Sequence, residues 1–437
     1  MNKDFTKTLR ELIVFASPIA FGQLSQMFIG LGDVFIAAHH GRQTVAAMGI
    51  ANGVSSLIFL VGLGLLLGIS PTIAKKRGES TPTDQYFYTC VMYAVAIGVV
   101  FTSLTIGSVY LISYMGFDPP LVPLIKDYLF YVSFSYLGAY IFIAIKEFLQ
   151  ASEHVVVANS ISVAAVFVNL FLGYVLAFGI FIFPELGVKG LAYAAIIVRS
   201  LMGLSLFIYA RRYNKTTFSV IRNFAQHVFK FSIPISMSMF VEFSAFSAMM
   251  MLIGRIGALY AAVHSISLTI ASTTYMVPLA ISSAVSVKVA YFYGRRNFDR
   301  MKNFMKAGIL LSITFMMFAA TCFCLFPKTI LGAFTSDVEI ISAGIPILFV
   351  CALFQILDGA QVTLTGILRG LGITKPTFII VLAGFWLIGL PLGYYLGYTM
   401  KLNAFGFWIG IAVALFIIAA SLSVYLLNVL RKDKVIS

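Results

Sequence analysis

Long apolar runs, each bounded by a short polar or basic stretch, recur along the whole chain. Val54–Ile73, Val155–Phe183, Ile309–Phe326 and Phe405–Leu430 are each long enough to cross a hydrocarbon core as a helix, which takes ~20 apolar residues. Backbone amides in lipid must pair within their own segment, so such runs predict helices. The ~10-residue alternating segments of a membrane β-barrel are nowhere visible. The pattern predicts twelve spans: 13–37, 45–74, 86–114, 127–150, 156–182, 188–210, 229–254, 258–290, 305–330, 340–368, 375–399 and 404–430.

Composition agrees with the pattern. Sixty per cent of the residues are apolar and 11% are charged, against roughly a quarter charged in a soluble domain. Too few polar residues exist to coat a soluble protein of this length. The polar start, Met1–Glu11, and the long apolar stretch after it do not read as a cleaved signal. Cys90, Cys322, Cys324 and Cys351 all fall inside predicted spans, which argues against a disulfide or zinc framework.

The net charge of +14 invites a nucleic-acid reading, but its distribution points to a membrane. Of the 30 basic residues, 24 fall at the termini, in alternate loops or, with Lys146 and Arg199, are counted at helix ends on one side, and six fall on the other. Arg42, Lys126, Lys189, Arg255, Lys328 and Lys401 make up the smaller group. This asymmetry is the positive-inside pattern, and it predicts cytoplasmic N- and C-termini with basic loops against anionic lipid. No nucleic-acid partner is expected.

The two halves resemble each other at an offset of 216 residues. Phe15-Ala16-Ser17-Pro18-Ile19 corresponds to Phe231-Ser232-Ile233-Pro234-Ile235, Gly41 to Gly257, Ala46 to Ala262, Ser56 to Ser272 and Gly78 to Gly294. Later, Leu172-Gly173-Tyr174 echoes Leu392-Gly393-Tyr394, and Gly190 echoes Gly406. A repeat of six helices keeps its orientation, the plan of transporters built from parallel repeats. The expected fold is therefore all-α, with twelve transmembrane helices in two pseudo-symmetric six-helix lobes. The lobes are read as 1–210 and 229–437, joined by a cytoplasmic connection over 211–228.

Three acidic residues lie inside apolar spans: Asp33, Glu242 and Asp358. A charge at the bilayer centre costs on the order of 3 kcal/mol, so such a group faces the protein interior or a wet cavity. Glu242 has Gln26 as its repeat counterpart, and each follows a proline by eight residues. Asp358 shares a helical stripe with Phe354, Gln361 and Thr365, which suits a cavity wall. These carboxyls can exchange a proton or bind sodium; each can instead tie helices together by hydrogen bonds. Asn169 either lines a cavity or pairs with a backbone carbonyl. Lys146 and Glu147 read as an interfacial pair, and His264 as a satisfied core histidine or a pH-sensing group. His39 and His40, adjacent at a turn without cysteine or carboxylate companions, make a poor metal site. Pro18, Pro71, Pro234 and Pro278 interrupt spans.

No Walker loop, His-Glu-x-x-His, Gly-x-Ser-x-Gly or Cys-x-x-Cys occurs. The chain is accordingly not expected to be an enzyme, to carry a cofactor or to work with an ATPase subunit. Three functions fit: an ion-coupled exporter of organic compounds, a flippase of a lipid-linked precursor, and a non-transport receptor or intramembrane enzyme. The repeat counts against the last, and the acidic spans count against a cavity for phosphate groups.

Several segments together resemble the multidrug and toxic compound extrusion (MATE) family, in its bacterial NorM-like branch. Pro18-Ile19 with Gln26, Gly30, Asp33 and Val45-Ala46-Ala47 is similar to its first-helix pattern, and Gly62-Leu63-Gly64 with Pro71 to its second helix. Phe231-Ser232-Ile233-Pro234 through Glu242 to Ala261-Ala262 resembles its seventh and eighth helices. Phe354-Gln355 with Asp358, closing on Leu368-Arg369-Gly370, resembles its tenth; Asn169 and Leu186-Gly187-Val188-Lys189-Gly190 resemble its fifth and sixth. The resemblance implies two six-helix lobes in a V and sodium- or proton-coupled efflux of small organic compounds, often hydrophobic cations, from a bacterial inner membrane. It implies coupling-cation roles for Glu242 and Asp358, and a substrate cavity involving Asp33, Gln26, Asn169, Phe354 and Gln361.

Overall fold

Among the described residues of the computed structural model, twelve helices are long and apolar enough to cross a bilayer. They are α1 Lys3–His40, α2 Arg42–Gly78, α3 Asp84–Tyr114, α4 Leu121–Ala151, α5 Val156–Phe178 and α6 Val188–Arg212. The second six are α7 Arg222–Ile256, α8 Ala258–Gly294, α9 Phe298–Leu325, α10 Val338–Gly370, α11 Lys375–Thr399 and α12 Asn403–Arg431. The structure describes residues 3–180, 182–214 and 216–432; Lys215 and Lys434 of the basic tally lie outside the described residues. No strand occurs among the described residues.

Each span predicted from the apolar pattern overlaps one of these helices, and the ends differ for physical reasons. Helix α1 begins at Lys3 rather than at 13 because its first turns are amphipathic. Thr8, Leu12, Phe15 and Ile19 form a buried stripe at helical spacing, while Lys7 and Arg10 are exposed. The run predicted over 305–330 ends at Leu325, where Phe326 leaves the helix and Pro327 opens a separate short helix, Pro327–Gly332.

The helices gather into two units. One comprises Phe21–Ser236, the other Met1–Ala20 with Met237–Ser437. The divisions fall inside α1 and α7, in each case two residues past a proline, Pro18 and Pro234. Side chains show why the first part of α1 belongs with the later helices. Glu11 is bridged by Lys288 Nζ on α8 and Arg300 Nη2 on α9, both at 3.0 Å. Lys288 also stands over the Phe15 ring at 5.1 Å. The first part of α7 is held in the other unit by Ser236 Oγ, which donates to the Val61 carbonyl at 2.7 Å.

Repeat-related glycines serve the same purpose in both units. A Cβ on Gly190 would stand 2.4 Å from the Leu176 carbonyl oxygen, and one on Gly406 would stand 2.9 Å from that of Leu396. Each glycine lets α6 approach α5, or α12 approach α11, backbone to backbone, the contact by which helices pack tightly in lipid. Gly179 caps α5 at φ 69°, in the left-handed region where only glycine sits without strain.

Candidate functional site

The later unit holds the two carboxyls of α7 and α10. Asp358 is buried and Glu242 half-buried. Aromatic packing brings them together. Phe246, one turn beyond Glu242, meets Phe354, one turn before Asp358, at a centroid distance of 6.2 Å. Phe354 also leans edge-on against Trp408 of α12 at 5.4 Å, and Phe246 packs against Phe385 of α11 at 5.9 Å. Trp386 Nε1 donates to the Val241 carbonyl at 3.1 Å, which fixes α11 beside the turn that carries Glu242. In this setting Glu242 and Asp358 feel each other's charge, and Tyr275 of α8 lies within electrostatic range of both.

Among the described residues neither carboxyl has a hydrogen-bond or ion-pair partner. Their neighbours show the same deficit. Gln355 donates through Nε2 to the Ala271 carbonyl at 3.1 Å and to Thr274 Oγ1, leaving Oε1 unpaired. Gln361 Oε1, Thr363 Oγ1 and Thr365 Oγ1 are likewise buried and unpaired. Buried polar atoms are ordinarily satisfied, so these four stand out along α10.

Asp33 sits in the other unit, buried near the end of α1, and accepts from Asn169 Nδ2 at 2.7 Å. The two residues singled out on α1 and α5 thus form one pair. Gln26 is exposed. Arg199 corrects the reading that placed it with the helix ends: it lies mid-way along α6, within electrostatic range of Asp33. Lys146 and Glu147 are buried rather than interfacial, and Glu147 accepts a hydrogen bond from Ser70. His264 is not a satisfied core histidine. It is fully buried, edge-on to Trp408 at 5.8 Å, and both ring nitrogens are unpaired among the described residues. His40 Nε2 faces Glu185 at 3.0 Å, yet no group of three metal-binding side chains occurs among the described residues.

Sequence reasoning missed Arg199, Tyr275 and Trp408. Arg199 was visible as a lone base in an apolar run, the same signal that marked the acids. Tyr275 and Trp408 carried no signal beyond their size, because their place beside the carboxyls comes from helix packing.

Twelve apolar helices among the described residues, in two units with unpartnered carboxyls inside one of them, fit the class of membrane transporters. Comparison with known proteins makes the assignment specific. The family model described as MatE matches residues 18–175 and again 234–395, so its two copies begin at the repeat-related prolines. The chain belongs to the MATE family and is a secondary transporter of its NorM-like branch. It is 27% identical over 437 residues to a probable multidrug resistance protein NorM of Photorhabdus laumondii, covering 96% of this chain and 95% of that one. It is 29% identical to the probable NorM of Idiomarina loihiensis, covering 97% and 94%. The fold matches the Vibrio cholerae MATE transporter VcmN with a TM-score of 0.90 at 15% identity, covering 99% of each chain. It matches the eukaryotic MATE transporter AtDTX14 with a TM-score of 0.87 at 20% identity, covering 97% and 96%.

Proposed function

We propose that this transporter exports hydrophobic, often cationic organic compounds across a bacterial inner membrane in exchange for inward-moving sodium or protons. Glu242 and Asp358 bind the coupling ion. Within the Phe21–Ser236 unit, Asp33, Asn169 and Gln26 offer polar groups to substrate; within the other unit Gln361 does so, and Phe354 acts by holding Asp358 beside α7. The observation that carries this reading is the pair of carboxyls in one unit with no bonded partner among the described residues. A carboxylate that only tied helices together would spend its oxygens on neighbouring donors. These two are free to take an ion, and an ion removes the cost of holding two negative charges in an apolar bundle. The relatives' multidrug resistance names support organic compounds as cargo.

Coupling needs only that the ion prefer one conformation. A differential of about 1.4 kcal/mol shifts the ratio of two conformations tenfold. Ion entry from outside neutralises the pair and favours outward release of substrate; ion release inward resets the site. The test is efflux in proteoliposomes with sodium and proton gradients imposed separately. Glu242→Gln and Asp358→Asn keep shape and remove charge, so each is expected to abolish gradient-driven transport while folded protein is still recovered. Native coupling in both variants would overturn the assignment.

A further inference from the structure

Helix α11 carries two stretches wound wider than an α-helix, Ala383–Gly389 and Tyr395–Thr399. The amide of Leu390 donates to the Phe385 carbonyl, and that of Met400 to the Tyr395 carbonyl at 3.1 Å, the i→i+5 bonds of a π-helix. The glycines of α11 show what the first stretch does. A Cβ on Gly384 would strike Ile418 of α12, one on Gly389 would stand 2.9 Å from Ala414 Cβ, and one on Gly393 would stand 3.2 Å from Phe407 Cα. All three face α12, yet the steps between them are five residues and then four. Five residues of a regular α-helix turn about 140° past a full circle, which would carry Gly389 off the face that Gly384 presents. The π turn sets a residue over the fifth one after it, so the glycine seam against α12 stays unbroken. Such turns are rare and gather at functional sites.

Each wide stretch also sends one aromatic donor to the backbone of α7. Trp386 Nε1 donates to the Val241 carbonyl at 3.1 Å, and Tyr398 Oη to the Leu252 carbonyl at 2.6 Å. The two bonds differ in where they fall. Leu252 lies in the last turns of α7, whereas Val241 is the immediate neighbour of Glu242. Ser244 Oγ donates to the same Val241 carbonyl at 3.0 Å. In a regular helix that oxygen serves the amide four residues on, so two side chains enter the ladder at the turn that carries Glu242. Phe385, beside Trp386 in the same stretch, packs against Phe246, which in turn meets Phe354 one turn before Asp358. The first π stretch thus grips α7 on both sides of Glu242, before it through Val241 and after it through Phe246.

We propose that Trp386 is a positioning residue for ion coupling: its N–H bond to Val241 sets where Glu242 stands relative to Asp358, and the π stretch of α11 aims it. This inference rests on the reading of those two carboxyls as the coupling-ion site. The test follows ethidium transport in proteoliposomes against sodium at fixed pH and against pH without sodium. Each titration gives a half-saturating ion concentration and a maximal rate. Binding of sodium alone is read in parallel from the rise in melting temperature it produces. Trp386→Phe keeps a ring and loses the donor. It is expected to raise the half-saturating concentration of the driving ion about fivefold, the order of one hydrogen bond, with the maximal rate within about twofold. Trp386 is exposed, so Trp386→Leu leaves no buried cavity and gives the same readout should the phenylalanine variant not be recovered folded. Trp386→His, which keeps a ring N–H, is expected to recover part of the ion affinity. Tyr398→Phe removes the other aromatic bond to α7 and is expected to leave half-saturation unchanged. Native half-saturation in Trp386→Phe, alongside a lost ion response in Glu242→Gln, would overturn the positioning role and leave the ion site standing. An equal shift in Tyr398→Phe would overturn it too, because both bonds would then only hold helices together. A native ion response in Glu242→Gln would sink the ion-site reading and this proposal with it.

Discussion

At the scale of single residues, the two units treat buried carboxyls in opposite ways, and the difference predicts opposite mutational signs. Asp33 is held by a donor on another helix, Asn169 Nδ2 at 2.7 Å, whereas Asp358 has no bonded partner among the described residues. Asn169→Leu takes the donor away and leaves a buried carboxyl unsatisfied, a loss of about 1–3 kcal/mol that is expected to lower the melting temperature in detergent. Asp358→Asn replaces an unpartnered acid by a neutral amide of the same shape, so its melting temperature is expected to match or exceed the wild type. A less stable Asp358→Asn, or an unaffected Asn169→Leu, would contradict this account. Both acids were legible in the sequence because an acid in an apolar run is conspicuous, and Asn169 was legible beside them. Their pairings were not: Asp33 and Asn169 are 136 positions apart, and no local pattern encodes that contact. Arg199 was legible by the same rule and was obscured by counting it as a topology anchor.

At the scale of elements, repeated glycines were readable as a pattern, while their purpose needed three dimensions. Gly41 and Gly257 join successive helices in one shared conformation, φ 161° and ψ 160° against φ 162° and ψ 158°. Gly190 and Gly406 allow equivalent close approaches, as described above. Another glycine without a repeat signal matters as much. A Cβ on Gly138 of α4 would come within 2.8 Å of the Arg199 carbonyl and of Ser200 Cα, so the α4–α6 contact exists only because that side chain is absent. Gly107 of α3 has open space around it. The pair gives a signed comparison. Gly107→Ala is expected to stabilise slightly, by about 0.5–1 kcal/mol, from reduced backbone freedom in the unfolded chain. Gly138→Ala is expected to cost about 1–3 kcal/mol, because the clash is with backbone and a helix must move. Melting temperatures of the two variants check it.

At the scale of the whole molecule, twelve spans and a six-helix repeat were legible because lipid leaves a chain few options: long apolar runs must be helices, and an even-numbered repeat keeps its direction. Where each unit begins was harder to read. Charge marks 211–228 as a connection, whereas packing divides the chain inside two continuous helices, at Ala20 and Ser236. Orientation is the remaining property of the whole, and it rests on the basic residues. Lys and Arg are retained on the cytoplasmic side during insertion, so the heavily basic loops predict that the connection between α6 and α7 is cytoplasmic. The turn between α3 and α4 is then external. Ser219 and Asp118, both exposed, report on the two sides. In a background with Cys90, Cys322, Cys324 and Cys351 replaced by alanine, Asp118→Cys is expected to react with a membrane-impermeant maleimide in intact cells. Ser219→Cys is expected to react only after permeabilisation. Under the proposed exchange of ion for substrate, this orientation would put ion entry and substrate release on the Asp118 side. Labelling of Ser219→Cys in intact cells would reverse the orientation. Labelling of both would mean that the number of crossings between positions 118 and 219 is even rather than three, and the twelve-span arrangement would fall with it.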